Sequence, residues 1–403
     1  MVRLGELPTR LMSLAHGCDL VWSPEIIDKK IVQTTRIVNS QLNTIDYVID
    51  QPIKLKKHGD SVKRLVVFRT SHAHERGNLI FQLGLADPTV AVDAALKVID
   101  DVDGIDLNCG CPKPFSTHAG MGAALLSTPD LLCLILKALV EKVGKPKNKP
   151  ILCKIRMLDT LESTTSLVEQ ICATGITNLT IHCRTRDMRN RQDPRWMYLP
   201  TLIPLVKSKG ISVVINGNLQ SRTDILNMRK VLNDEEIGGM IAEAAECNPL
   251  VFSATPQNAK KTVLEFLDLC TKFQPENLAN IKFMILNLVP GKLKYYMKFA
   301  HLRTLEDFHK VADEMKDDDS DLVNKFLVKD CQKQLVLTQE EYTDFINKER
   351  PDEMKYALSR KPGDPDRGDI IKKQEQEAAV ARKRAREAEE EQANKKPKAV
   401  TCN

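Results

Sequence analysis

The segment Gly104-Ile-Asp-Leu-Asn-Cys-Gly-Cys-Pro-Lys-Pro-Phe-Ser-Thr-His-Ala-Gly-Met-Gly-Ala-Ala-Leu-Leu126 decides how this chain is organised. Ile105 and Leu107 stand either side of Asp106, as in a buried strand. The strand breaks at Gly110 and Pro112, because glycine admits dihedrals that other residues avoid and proline has no N–H for a ladder. Gly120 and Gly122 follow, then the apolar run Ala123 to Leu126. A polar side chain, Asn108, and a thiol, Cys111, therefore lie at the carboxyl end of a strand and on the loop after it. That is where α/β folds carry their chemistry. The loop is expected to be exposed, with Cys111 functional and Cys109, at the very end of the strand, packed.

The totals set the frame. A chain of 403 residues holds one large and one smaller domain, on a prior of about 100–200 residues each. Hydrophobic residues at 42% supply a core, and charged residues at 28% indicate a soluble protein. The net charge of +5 says little about partners, whereas its distribution says more. Eleven scattered cysteines with no CxxC pair suit reduced thiols rather than a disulfide frame. No apolar run approaches the roughly 18 residues of a membrane span, and the N-terminus shows no secretory h-region. The expectation is a monomeric protein of the cytoplasm, the nucleus or both.

Outward from Gly104 the pattern repeats. A helix is predicted over Thr9 to His16 and a short strand over Asp19 to Ser23, followed by a mixed, polar stretch at 31–78 with a hairpin candidate at Leu65 to Arg69. Apolar strands are predicted at Leu79–Leu83, Gly104–Asn108, Ile151–Ile155, Asn178–His182, Ser212–Asn216 and Gly239–Ala242. Helices such as Pro129–Val143 and Leu161–Ala173 fill the gaps. Strands alternating with helices of this length mean right-handed βαβ units and a parallel sheet. With Asp19–Ser23 there are seven strands, and a closed barrel needs eight. The predicted fold class is α/β, a TIM (β/α)8 barrel whose first strand is missing before Met1. A doubly wound open sheet is the rival, against which no G-x-G-x-x-G follows an early strand.

After Pro249 the strands cease. Residues 1–250 are assigned to the barrel, 255–315 to a small all-α domain, 316–361 to a linker or helical extension with the acidic run Asp317–Asp321, and 362–403 to a charged tail. The helical domain carries Lys282, Lys292, Lys294, Lys298, His301 and Arg303 among Phe283, Tyr295, Tyr296 and Phe299. Basic and aromatic residues in such a mixture suit a folded RNA. Arg382–Arg386 and Lys395–Lys398 resemble a bipartite nuclear signal or a phosphate-binding tail, although Glu387 to Glu391 interrupt the basic charge.

Polar residues recur at the strand ends: Gln82, Asn108, Lys154, His182 and Asn216. In a barrel they converge on one mouth. A lysine, a histidine and an Asn216-Gly217 turn with exposed N–H groups suit an anionic cofactor bearing carbonyl groups. Cys109, Cys111 and His118 match no common zinc spacing, so no metal is expected.

These residues carry a family resemblance. Asn108-Cys-Gly-Cys-Pro112, Gly120-Met-Gly-Ala-Ala-Leu125, Cys153-Lys-Ile-Arg156, Ile181-His-Cys-Arg184, Val214-Ile-Asn-Gly217 and Met240-Ile-Ala-Glu-Ala-Ala245 together resemble the tRNA-dihydrouridine synthases. The likeness runs to about residue 310 and is nearest to eukaryotic members acting on position 20 of the D-loop. It implies a TIM barrel holding flavin mononucleotide (FMN), a helical tRNA-binding domain, and reduction of a uridine 5,6 double bond with NADPH or NADH as reductant. By this resemblance Cys111 is the general acid that protonates uracil C5, while reduced flavin gives hydride to C6. Gln82, Lys154, His182 and Glu25 become flavin contacts, and Asn108 lies near flavin and substrate. Asn216, Gly217 and Asn218 match one phosphate-holding segment, Ala242 and Glu243 the other. Met1 and Val2 match the end of the family's Ala-Pro-Met segment against the flavin. Arg184 and Arg186, with Lys282, Lys292 and Lys294, become the tRNA contacts.

Three features depart from the family pattern. The chain begins at the Met of that first segment. Glu243 stands where many members have Arg, and Asn218 where Gly or Asp is common, so backbone N–H groups rather than the Glu243 side chain would hold a phosphate. The double-stranded-RNA-binding domain of animal relatives is not read in 318–403. The competing functions are a flavin oxidoreductase for a free pyrimidine or other small molecule, and a non-catalytic RNA-binding relative.

Overall fold

A computed structural model describes residues 5–55, 59–189, 192, 194–253, 259–274, 276–291 and 293–326. Met1, Val2, Lys292, the 362–403 tail with its basic clusters and most of 316–361 lie outside the described residues.

Eleven strands are described. They are β1 Val21–Trp22, β2 Ile26–Ile27, β3 Thr35–Asn39, β4 Thr44–Leu55, β5 Gly59–Thr70, β6 Leu79–Gly84, β7 Gly104–Cys109, β8 Ile151–Arg156, β9 Asn178–His182, β10 Ser212–Asn216 and β11 Gly238–Met240. The main sheet runs β1-β6-β7-β8-β9-β10-β11, all parallel, with β2 also paired to β6. Spatial order follows chain order, so every crossover steps the same way. A doubly wound sheet reverses at a switch point, and none occurs here. The strand predicted over Asp19–Ser23 is instead the two-residue β1, with β2 a few residues later. Pro24 lies between them and cannot donate to the ladder. Among the described residues β1 and β11 are not paired with each other.

Register explains the polar strand ends. Gln82 stands opposite Asp106, Asn108 opposite Lys154, and Arg156 opposite His182, which in turn faces Asn216. Side chains alternate along a strand, so these even-numbered residues share one face. The odd-numbered residues Phe81, Leu83, Ile105, Leu107, Ile155, Ile181 and Ile215 occupy the other. They are buried with Ala91, Leu132, Ile135, Leu167 and Leu202 of the covering helices. Those helices start at defined caps. The Asp87 carboxylate accepts from Thr89 N at 2.8 Å ahead of Pro88–Val98, and Thr160 with Ser163 and Ser221 with Asp224 form capping boxes ahead of Leu161–Cys172 and Arg222–Leu232.

The polar stretch 31–78 contains more than a hairpin. β3, β4 and β5 form an antiparallel sheet, and the Leu65–Arg69 candidate is only the end of the twelve-residue β5. Tyr47 and Phe68 bury its inner face against Phe81, the Phe68 and Phe81 rings meeting edge-on at 4.8 Å. Arg69 pairs with Asp46 at 2.7 Å.

The C-terminal helices Ala259–Phe273, Leu278–Leu288, Lys294–His301 and Leu305–Asp317 share a second core around Phe266, Ile285, Tyr295, Phe299 and Phe308. The boundary drawn at 315 falls inside the last of these. The acidic run after it folds back: Asp318 pairs with Lys294 at 2.7 Å and accepts from the Tyr295 hydroxyl at 2.6 Å. This unit is tied to the N-terminal helix Leu7–Ala15 and to β5. His16 meets Glu265 at 2.9 Å, the Asn277 amide reaches Glu6 at 3.0 Å, and Arg69 donates to the Phe273 carbonyl at 2.6 Å.

Candidate active site

The loop after β7 is fixed from both ends. The Asn108 side-chain oxygen Oδ1 accepts from the backbone N–H of Gly110 at 2.9 Å and of Cys111 at 3.1 Å. Arg156, at the end of β8, donates from Nε to the Gly110 carbonyl at 2.8 Å. The Cys111 carbonyl accepts from Ala123 N at 2.9 Å. Gly122 makes that return possible: its φ is +60°, and a Cβ there would lie 2.7 Å from the Cys111 carbonyl oxygen. Cys111 is thus half-buried in a held loop rather than exposed on a flexible one. Cys109 is fully buried, as its position at the strand end predicts.

Electrostatics hold the thiol in its acid form. Burial pushes the Cys111 thiol above its ordinary pKa, and the neighbouring Glu25 carboxylate pushes it further. Glu25 lies between β1 and β2, where burial raises its own pKa and one of its oxygens has no hydrogen-bond partner among the described residues. Gly84, ending β6, leaves it room, since a Cβ there would stand 2.8 Å from Glu25 Oε1.

Lys154 and His182 lie one and two strands further round. Burial lowers the Lys154 ammonium to about 8, with the Arg156 charge adding to the effect. Its ammonium makes no hydrogen bond or ion pair to any described residue. Burial and the Lys154, Arg156 and Arg184 charges push His182 well below its ordinary value, so its imidazole is neutral near pH 7. Gly217, with φ +112°, follows β10. A Cβ there would approach the His182 ring to 3.0 Å, and the next residue, Asn218, also takes a positive φ, +60°. The backbone N–H groups of Gly217 and Asn218 donate to no described residue. Asn216 closes the sheet instead, its amide donating to the Met240 carbonyl at 2.8 Å. Ala242 and Glu243 begin the short helix Glu243–Cys247, with Glu243 exposed.

The other expected contacts are dispersed. Arg184 is 3% exposed, and its Nε donates to the Gln192 carbonyl at 2.7 Å, whereas Arg186 is exposed. Lys282 donates to the Ala300 carbonyl at 3.0 Å, ending the helix Lys294–His301. Lys294 holds Asp318 while staying exposed. Tyr295 and Phe299, placed among the RNA-facing aromatics by sequence, are core residues at 1% and 0% exposure.

The sequence reading also missed residues. Asp106 is fully buried and accepts from Gln82 Nε2 at 2.8 Å and Trp22 Nε1 at 3.0 Å. Arg156, which positions Gly110, stands two residues after Lys154 and so on the same face. That i, i+2 relation, shared by Asp106 and Asn108, was the available signal.

The dihydrouridine synthase family (Dus) matches residues 19–334 of the chain. The chain belongs to the dihydrouridine synthase family. Among its relatives is a tRNA-dihydrouridine(20) synthase [NAD(P)+] of Saccharomyces cerevisiae, 47% identical over 327 residues, covering 79% of this chain and 83% of that one. The protein of the same name from Schizosaccharomyces pombe is 40% identical over 353 residues, covering 86% and 70%. A human tRNA-dihydrouridine(20a/20b) synthase [NAD(P)+]-like protein is 26% identical over 269 residues, covering 67% and 74%. The dihydrouridine synthase match spans the parallel sheet, the thiol loop and the C-terminal helices alike.

Proposed function

We propose that this chain reduces a uridine of tRNA, at position 20 of the D-loop, to 5,6-dihydrouridine, with FMN bound at the mouth of the sheet and NADPH or NADH as reductant. The observation that carries the reading is the Cys111 thiol, held protonated beside the Glu25 carboxylate on a loop that Asn108 fixes. The relatives named above act on tRNA and carry NAD(P)+ in their names.

The residues present fit a flavin. Lys154 offers a cation, His182 a neutral ring, and Gln82 and Asn108 amide N–H groups to the carbonyl edge of such a ring system. Gly217 and Asn218 offer a phosphate two backbone N–H groups that donate to no described residue, the arrangement that backbone nests use for anions. When bound, the flavin supplies the hydride that adds to uracil C6. The chain's own part is the proton. Cys111 gives its S–H proton to C5, the thiolate left behind takes one from solvent, and the pair of transfers completes the two-electron reduction. The raised thiol pKa suits an acid that must still carry its proton at neutral pH. A base inside folded tRNA has to be extracted to reach such a site, and the exposed cations Arg186 and Lys294 lie on the surface available to phosphates.

The flavin reading has a direct test in titration of flavin-free protein with FMN. Lys154→Met is expected to weaken binding by about 10–100-fold, the scale of a charge-assisted hydrogen bond. The sign of the pH effect follows from the depressed pKa: the free ammonium loses its proton as pH rises through about 8. Wild-type affinity is therefore expected to decline above that pH, and the variant's to stay flat. Equal affinities at pH 7 would remove Lys154 from the site.

A further inference from the structure

We propose that Asp106 is a positioning residue for the thiol loop: its buried carboxylate fixes the amide polarity of Gln82 and Asn108, and through them the backbone that carries Cys111. Four side chains on three strands form one directed series. Trp22 Nε1 and Gln82 Nε2 both donate to Asp106 Oδ2, at 3.0 and 2.8 Å. With its nitrogen turned to the acid, Gln82 presents its oxygen to Asn108 Nδ2, which donates at 3.0 Å. Asn108 then presents its own oxygen to the N–H groups of Gly110 and Cys111.

The two ends of the series impose the same direction. Backbone N–H groups only donate, and an ionised carboxylate only accepts. An amide between them that turned over would set donor against donor, so each holds its neighbour. One N–H of Gln82 and one of Asn108 remain without a described partner. A purely structural role accounts poorly for the acid. Asp106 is 0% exposed and its Oδ1 has no hydrogen-bond partner, an arrangement that costs stability. Burial raises its pKa to about 6, so it is still mostly ionised at neutral pH.

The proposal rests on the Cys111 reading for its meaning, yet its test needs neither flavin nor turnover. In flavin-free protein, hydrogen exchange at the Gly110 and Cys111 amides and alkylation of Cys111 by iodoacetamide report the loop directly. Asp106→Asn keeps an oxygen able to accept from both Gln82 and Trp22, and both readouts are expected within about 3-fold of wild type. Asp106→Ala removes the acceptor, and both rates are expected to rise about 10-fold, the scale of a lost hydrogen bond. Gln82→Leu breaks the series at its middle while the carboxylate stays in place with Trp22 as its donor, and is expected to match Asp106→Ala, which keeps the test open if the latter fails to fold. Wild-type rates in a folded Asp106→Ala or Gln82→Leu protein would overturn the proposal, as would an Asp106→Asn protein as loose as Asp106→Ala. Should Cys111→Ala stay active, the catalytic reading would fail while these rates still decided the positioning one.

Discussion

Cys111→Ala is expected to slow dihydrouridine formation by about 10²–10⁴-fold, the usual contribution of a positioned acid, while FMN and tRNA bind as before. The separation follows from the geometry. The loop is held through backbone atoms: Asn108 accepts from the Cys111 N–H, and the Cys111 carbonyl accepts from Ala123. Removing the sulfur leaves those bonds in place. It removes the group that burial and Glu25 keep protonated. Single-turnover mixing of the reduced enzyme with an unmodified tRNA transcript isolates the step, because hydride and proton delivery must both occur there. Cys111→Ser, with a hydroxyl far less acidic than a thiol, is expected to fall between the two. A Cys111→Ala enzyme within 10-fold of wild type in that experiment would take the thiol out of the mechanism.

Gly122→Ala is expected to be nearly as damaging, although it leaves every polar group at the site intact. The new Cβ would stand 2.5 Å from Ser116 Oγ, 2.7 Å from the Cys111 carbonyl oxygen and 2.9 Å from Cys111 Cβ, at a φ of +60°. The left-handed conformation costs about 1–2 kcal/mol for a residue with a Cβ, and crowding in a packed region about 1–3 kcal/mol more. Movement of the loop is the relief available, and a shift of about 1 Å in a reacting group costs about 100-fold in rate. Gly77→Ala is the control, since Gly77 has a φ of +91° but nothing within 4 Å of a Cβ. It carries the conformational penalty alone. Thermal melts should show both variants destabilised, and single-turnover rates should show only Gly122→Ala impaired. Equal rates in the two would mean that the Cys111 loop tolerates displacement.

Much of this is legible before any coordinates, and particular residues show where legibility stops. The strand-end set from Gln82 to Asn216 is readable because register in a parallel sheet brings i, i+2 positions of neighbouring strands onto one face. Asp106 escapes because an acid between Ile105 and Leu107 reads as the polar phase of a strand, and nothing local marks it as fully buried. The β3–β5 sheet is hidden for a related reason. Its strands intersperse Arg36, Asp46, Asp50, Arg64 and Arg69 with the apolar residues, which obscures the buried set of Ile45, Tyr47 and Phe68. Tyr295 and Phe299 could have been recovered, because their i, i+4 spacing places them on one helix face, and that face is the core. The i, i+2 spacing from Lys154 gave the face of Arg156 but not its role, because its partner is a carbonyl 46 residues away.

The most direct measurement of the central claim is mass-spectrometric mapping of an unmodified tRNA transcript after incubation with the full chain, FMN and NADPH. The expected result is a gain of two hydrogens at one uridine, position 20 of the D-loop, matched mole for mole by NADPH oxidised. The same incubation with Cys111→Ala should form dihydrouridine at least about 100-fold more slowly. NADPH oxidation with no dihydrouridine in the tRNA, or reduction of free uracil or uridine in preference to the transcript, would contradict it.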